Sequence, residues 1–145
     1  MKMKSLTRLG TWVAAVILSG LASCSSGVSE EKLEGNWKGE DFRFVQSEGP
    51  NVVAMIDGGR ELHEQSELLL KADGTYEIVV KEEIPNGEGV WSVIDRNFLQ
   101  TISGSDTILY EVVDLSENRL VTKHQVAYET PMGNLAGEIT LIYKR

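Results

Sequence analysis

Two histidines, His63 and His124, and a single cysteine, Cys24, are where any chemistry in this chain would have to begin. A zinc site needs several His, Cys or carboxylate ligands at short spacings, and these residues stand far apart. His63 lies among Glu61, Glu64 and Glu67. On an extended segment Glu61 and Glu67 share its face and Glu64 points away. That is a weak carboxylate–histidine arrangement, and a solvated loop is the expectation. His124 falls on the more apolar parity of its stretch, with Leu120, Thr122, Val126 and Tyr128. Two readings stay open for it: a core histidine with one hydrogen-bond partner, or a polar anchor inside a ligand cavity. The serines cluster after Cys24 and in loops, and no Gly-x-Ser-x-Gly follows a strand. No glycine-rich loop opens a helix to cradle a phosphate. The acids of Glu30-Glu31 and Glu82-Glu83 are sequence neighbours, which strands send to opposite faces. Asp57-Gly58-Gly59-Arg60-Glu61 lacks the alternating acids of a calcium loop. The expectation is a non-enzyme with no catalytic residue, no metal and no cofactor.

Cys24 has a different use. Lys2, Lys4 and Arg8 precede an apolar run, Leu9 to Ala22, which contains Gly10, Thr11, Ser19 and Gly20. A spanning helix needs about 20 apolar residues. This run is shorter and ends in small residues, as the apolar core of a signal peptide does. Leu21-Ala22-Ser23-Cys24 resembles a bacterial lipobox, where the leader is cut before the cysteine and lipid is attached to its sulfur. The expected division is a signal peptide at 1–23, a lipidated Cys24 with a flexible tether at 24–32, and one domain at 33–145. Each buried lipid methylene contributes about 0.8 kcal/mol, and two or more chains anchor stably. No thiol then remains for a disulfide, so the domain rests on its hydrophobic core. No acidic cluster follows Cys24 directly, which favours the periplasmic face of an outer membrane over the cell surface.

The chain of 145 residues carries a net charge of −8. The leader removes three basic residues and no acidic ones, leaving 122 residues at −11. That length suits one domain. That charge repels nucleic acid and anionic headgroups, so nucleic-acid binding is discarded.

Ser29 to Gly35 reads as one helical turn: Ser29 can cap it, Glu30 and Glu31 sit at its positive end, and Gly35 can stop it. From Trp37 onward the pattern alternates with period two, and no 3.6 period long enough for a sizeable helix is visible. Phe42 to Val45 and Val52 to Ile56 read as early strands. Leu68–Leu70 and Thr75–Lys81 flank Asp73-Gly74, a strong hairpin signal. Val90–Ile94, Phe98–Ile102, Thr107–Val113, Arg119–Tyr128 and Glu138–Lys144 complete a set of eight or nine. Asn51–Gln65, with Gly58-Gly59 and His63, reads as a hairpin at the barrel mouth. Short loops and the lack of crossover helices predict an all-β, antiparallel, up-and-down barrel, whose closure removes both exposed edges. Phe42, Phe44, Tyr76, Ile78, Phe98, Ile102, Tyr110, Val112, His124, Tyr128, Leu141 and Tyr143 fall on apolar parities and are expected to face inward.

Three motifs in order resemble the lipocalin-like domains of lipoproteins from Bacteroidetes-type bacteria, within the calycin superfamily. They are Leu33-Glu34-Gly35-Asn36-Trp37, Leu70-Lys71-Ala72-Asp73-Gly74-Thr75-Tyr76 and Gly89-Val90-Trp91. The resemblance covers most of 33–145; Asn51–Gln65 has no counterpart in it. It implies a barrel of eight strands whose floor is closed by Gly35 and Trp37, with Arg145, or Lys144, packed across the indole. It implies a ligand cavity and no reaction. On that basis the expected function is a membrane-tethered monomer binding a small apolar or amphipathic molecule, with Tyr110, His124, Tyr128 and Tyr143 offering polar ends to it. The alternative is a protein-binding envelope lipoprotein, an inhibitor of a basic hydrolase or an assembly accessory. Ser103-Gly104-Ser105-Asp106 is similar to the inhibitory loop of lipid-tethered lysozyme inhibitors, whose cysteines this chain lacks.

Overall fold

The computed structural model describes residues 27–81 and 84–145. Cys24 and the leader lie outside the described residues. Eight antiparallel strands close into an up-and-down barrel in sequence order. They are β1 (Gly35–Glu48), β2 (Ser66–Leu70), β3 (Thr75–Val80), β4 (Ile84–Ile94), β5 (Phe98–Ser103), β6 (Asp106–Leu115), β7 (Arg119–Thr130) and β8 (Gly133–Lys144). A short helix, α1 (Glu30–Leu33), precedes β1, and a longer one, α2 (Val53–Glu64), separates β1 from β2.

Closure falls to β1. Its first residues pair with β2, from Gly35↔Leu70 to Lys38↔Glu67. The rest pairs with β8, from Lys38↔Lys144 to Glu48↔Ala136. The strand changes partner at Lys38, and bulges after Gly39 and Gln46 bend it round the barrel.

The floor is built where the strand ends meet α1. Trp37 is fully buried and its Nε1–H donates to the Leu33 carbonyl at 2.7 Å. Leu33 is itself fully buried, so α1 presents one apolar side chain and one carbonyl to the same indole. The Arg145 guanidinium lies 3.9 Å from the Trp37 ring centroid and donates to the carbonyls of Lys32 and Glu34. Such a cation–π contact contributes about 0.5–2 kcal/mol. Gly35, at φ +127°, admits this arginine, whose Nη2 would lie 3.3 Å from a Cβ there. Ser29 caps α1 with its carbonyl, which accepts from Leu33, and not with its hydroxyl. Trp91 stands beside this floor core, its Nε1–H donating to the Lys71 carbonyl at 2.9 Å. Leu68, Leu70, Tyr76, Leu99, Val112, Leu120 and Tyr143 fill the space above.

Two expectations are corrected. Val52 to Ile56 forms no strand, and Asn51–Gln65 is no hairpin; residues 53–64 are α2. The helix turns inward Val52, Ile56, Gly59 and His63, a proper helical spacing. Half of that stripe is glycine and histidine, which hides the period from a search for apolar residues. The second correction concerns β5. Leu99 and Thr101 are its buried positions, while Ile102 is 37% exposed and Phe98 shares that outward parity. Thr101, on the inward parity with the fully buried Leu99, hydrogen-bonds with Tyr110.

Gly58 and Gly59 are unequal in α2. A Cβ at Gly58 would meet nothing within 4 Å, whereas one at Gly59 would lie 3.3 Å from Phe42 Cζ. Replacing helical glycine by alanine is worth about 1 kcal/mol where the methyl fits. Gly58→Ala should therefore raise the urea midpoint, corresponding to a gain of up to ~1 kcal/mol. Gly59→Ala should fall clearly short of that gain, and equal gains from both would show that α2 does not pack on Phe42.

Candidate functional site

Hairpin connections alternate between the two ends of an up-and-down barrel. Those at 71–74, 95–97 and 116–118 lie with α1 at the floor, and α2 lies at the other end with the turns at 104–105 and 131–132. α2 packs mainly on β1 and closes part of this mouth.

His63 fastens the helix, together with Arg60, whose Nε–H donates to the Phe42 carbonyl at 3.4 Å. The His63 Nε2 lies 2.9 Å from the Ile142 carbonyl. The acceptor is a carbonyl, so Nε2 carries the proton and donates. Ile142 pairs with Asp41 just past the β1 bulge, so the histidine occupies the point where the β1–β8 ladder is interrupted. Its ring meets Tyr143 edge-on at 4.8 Å between centroids. Ser66 Oγ donates to the His63 carbonyl at 2.7 Å and ends the helix. His63 is therefore neither a loop residue in solvent nor grouped with Glu61 and Glu67, because the segment is helical. Among the described residues no cluster of three metal-binding side chains is present.

Beneath α2 lies a chamber of about 250 Å³, lined by Phe42, Leu62, Leu68, Ile78, Ile139, Leu141 and, for polar atoms, His63, Ser66, Asn86, Tyr110, His124 and Tyr143. A second, more apolar space of about 540 Å³ lies between α2 and the long β7–β8 hairpin. Met55, Ile56, Val126, Tyr128 and Leu135 line it, and it shares Phe42, Gly59 and Ile139 with the first chamber. A residual void of about 20 Å³ sits deeper, among Tyr76, Thr101, Thr122 and Tyr143.

The barrel brings Tyr110, His124 and Tyr143 together and holds Tyr128 apart. Tyr110 and His124 meet edge-on at 4.8 Å between centroids. Burial pushes the Tyr110 hydroxyl up to about 12, partly opposed by its hydrogen bond to Thr101. Burial pushes Tyr143 up further still. Tyr128 is 55% exposed at the rim. His124 Nδ1 and Thr122 Oγ1 are buried without a hydrogen-bond partner among the described residues. An unpartnered buried polar atom costs about 1–3 kcal/mol. His124 also lines the chamber, so its Nδ1 is the unpartnered polar atom at that site. Thr101, overlooked in the sequence, and Thr122, placed there on the apolar parity without a role, carry one usable sign: each is a hydroxyl on the buried parity of its strand.

No protein-family model matches this chain, and a search of curated proteins finds no match either.

Burial lowers the pKa of both histidines below the ordinary 6.5. For His63 the Ile142 hydrogen bond and the nearby Glu64 and Asp41 charges oppose this without reversing it. The unfolded chain therefore takes up protons near 6.5 that the folded chain refuses until lower pH. Stability is whole above 6.5 and falls as pH drops below it toward the folded values. The urea midpoint should fall between about pH 7.5 and about pH 5. In a His63→Gln, His124→Gln double variant that fall should shrink. An undiminished slope in the variant would place the acid sensitivity elsewhere.

Proposed function

We propose that this chain is a cell-envelope lipoprotein whose lipocalin-like barrel binds a small apolar or amphipathic molecule at its mouth. The single observation that carries this reading is the pair of adjacent apolar spaces beside α2, about 250 and 540 Å³, which share Phe42, Gly59 and Ile139. Small-molecule sites fall in the range of roughly 300–1,000 Å³, with apolar walls and a few polar groups. A ligand bearing one hydrogen-bonding group would satisfy His124 Nδ1, which nothing else does among the described residues. The apolar part would lie against Phe42, Ile139 and Met55.

The tether agrees with this use. Val28 N donates to the Arg96 carbonyl at the floor. Cys24 precedes Gly27 by three residues, a reach of roughly 10 Å. On this reading the lipid on Cys24 is attached from the floor side of the barrel, and the mouth is turned to the aqueous compartment. The ligand therefore enters from solution or from a carrier, not sideways from the bilayer beneath. The acidic surface keeps the domain clear of anionic headgroups.

Native mass spectrometry of the full chain, released in lipid nanodiscs from its own envelope, should show a copurifying small molecule. Ile139→Trp fills the junction of the two spaces and should lower affinity for that molecule, or for an apolar fluorophore, by at least about tenfold. Retention of full affinity by a folded Ile139→Trp would refute the site. Cys24→Ala should move the protein from the membrane to the soluble fraction and remove the lipid mass; continued membrane association would overturn the anchoring.

A further inference from the structure

The ladder between β6 and β7 is shorter than either strand. Pairing runs from Leu115↔Leu120 to Glu111↔Lys123 and stops. Toward the mouth, β6 continues to Asp106 and β7 to Thr130. Each is paired along its other edge, β6 with β5 and β7 with β8. Tyr110 and His124 occupy the first missing rung: their rings touch, but their backbones do not pair. Beyond them the wall is split by a slot of about 800 Å³. Residues from both faces of the wall line it, so the slot passes through the wall. Ile108, Val126 and Tyr128 belong to the inward parity, and Leu109, Glu111 and Glu138 to the outward one.

We propose that this slot receives an extended segment of a basic partner polypeptide, which pairs with both free edges and completes the barrel wall. An unprotected strand edge is a template for pairing, and proteins usually blunt it. Here two antiparallel edges face one another across one gap. A peptide strand is the ligand class whose N–H and C=O groups can serve both. β6 leaves Asp106–Tyr110 unpaired on this side, and a segment of about six residues spans roughly 20 Å. Alternation sets its chemistry. Side chains pointing inward would meet Ile108 and Tyr128, which are 40% and 55% exposed, together with Val126. Side chains pointing outward would meet the Glu111 and Glu138 carboxylates with Lys123 between them, and Asp106 adds a carboxylate on the inward parity at the mouth end. Lys123 is already held by Glu138 at 3.0 Å. The net charge of −8 steers the same kind of partner from a distance. The segment sought is thus strand-forming, with basic and apolar residues in alternation. The slot adjoins the spaces under α2, sharing His124 with the smaller and Val126 and Tyr128 with the larger, while Ile108 and Glu111 line the slot alone.

The probe is a hexapeptide of alternating lysine and valine, offered to the full chain and followed by affinity and by amide hydrogen exchange. It should bind, slow exchange at 106–110 and 124–130, and weaken as salt is raised. The same peptide N-methylated at alternate amides keeps its charge but loses its ladder; it should bind at least about tenfold more weakly. Ile108→Lys should weaken the peptide similarly and leave fluorophore binding in the chamber intact, while Ile139→Trp should do the reverse. Equal binding of the methylated peptide, protection confined to other strands, no binding, or an unchanged Ile108→Lys affinity overturns the proposal. So does protection of 106–110 and 124–130 in the peptide-free protein that rises with its concentration, because the slot's occupant is then a second copy.

Discussion

The Trp37 indole holds both ends of the barrel to one point. Its ring lies under the Arg145 guanidinium, its N–H is taken by Leu33, and its own strand is where pairing passes from β2 to β8. A meander of strands has two edges until its first and last strands meet, and the backbone ladder alone does not decide where. Burying an aromatic of this size contributes roughly 4–6 kcal/mol of gross transfer free energy. The cation–π contact and two carbonyl acceptors then bind the last residue to the helix before the first strand. With no disulfide among the described residues, this floor fixes the register that every interior side chain inherits.

The floor is packed to completion and the mouth is not, and this asymmetry creates the apolar spaces beside α2. Below, Leu33, Trp37, Leu70, Leu99 and Leu120 leave almost no accessible surface. Above, β1, β7 and β8 run on beyond β5 and β6, and α2 crosses the resulting gap on the strength of His63 and a glycine against Phe42. A helix fastened to the barrel by His63 at a bulge and by Arg60 to the Phe42 carbonyl is a modest closure, and the lowered pKa of His63 ties its stability to pH. The same unequal strand lengths open the side slot. Chamber and slot are two consequences of one mismatch, and His124 borders both.

Much of this was visible in the residues. Alternation from Trp37 onward, the Asp73-Gly74 turn and the tight connections at 95–97 and 103–106 set out the strands, because side-chain parity and turn chemistry are local. The placing of Arg145 against Trp37 came only through the family resemblance. Residues 53–64 were misread because the buried stripe of α2 contains Gly59 and His63, whose roles are a close approach to Phe42 and a hydrogen bond to a carbonyl 79 positions away. Phe98 and Ile102 were misread because an apolar side chain on a strand says little about which face is inner when both faces carry some.

What the amino-acid order determined by itself is the meander and its direction: short strands, polar turns, and an apolar face able to roll shut around Trp37. Tertiary structure alone decided the lengths over which neighbours pair, and with them the chamber, the slot and the stranded His124 Nδ1. The physical reason is range. Strand propensity and parity act over a few residues, whereas the rung at which β6 parts from β7 depends on bulges, on the long β7–β8 hairpin and on a helix inserted after β1.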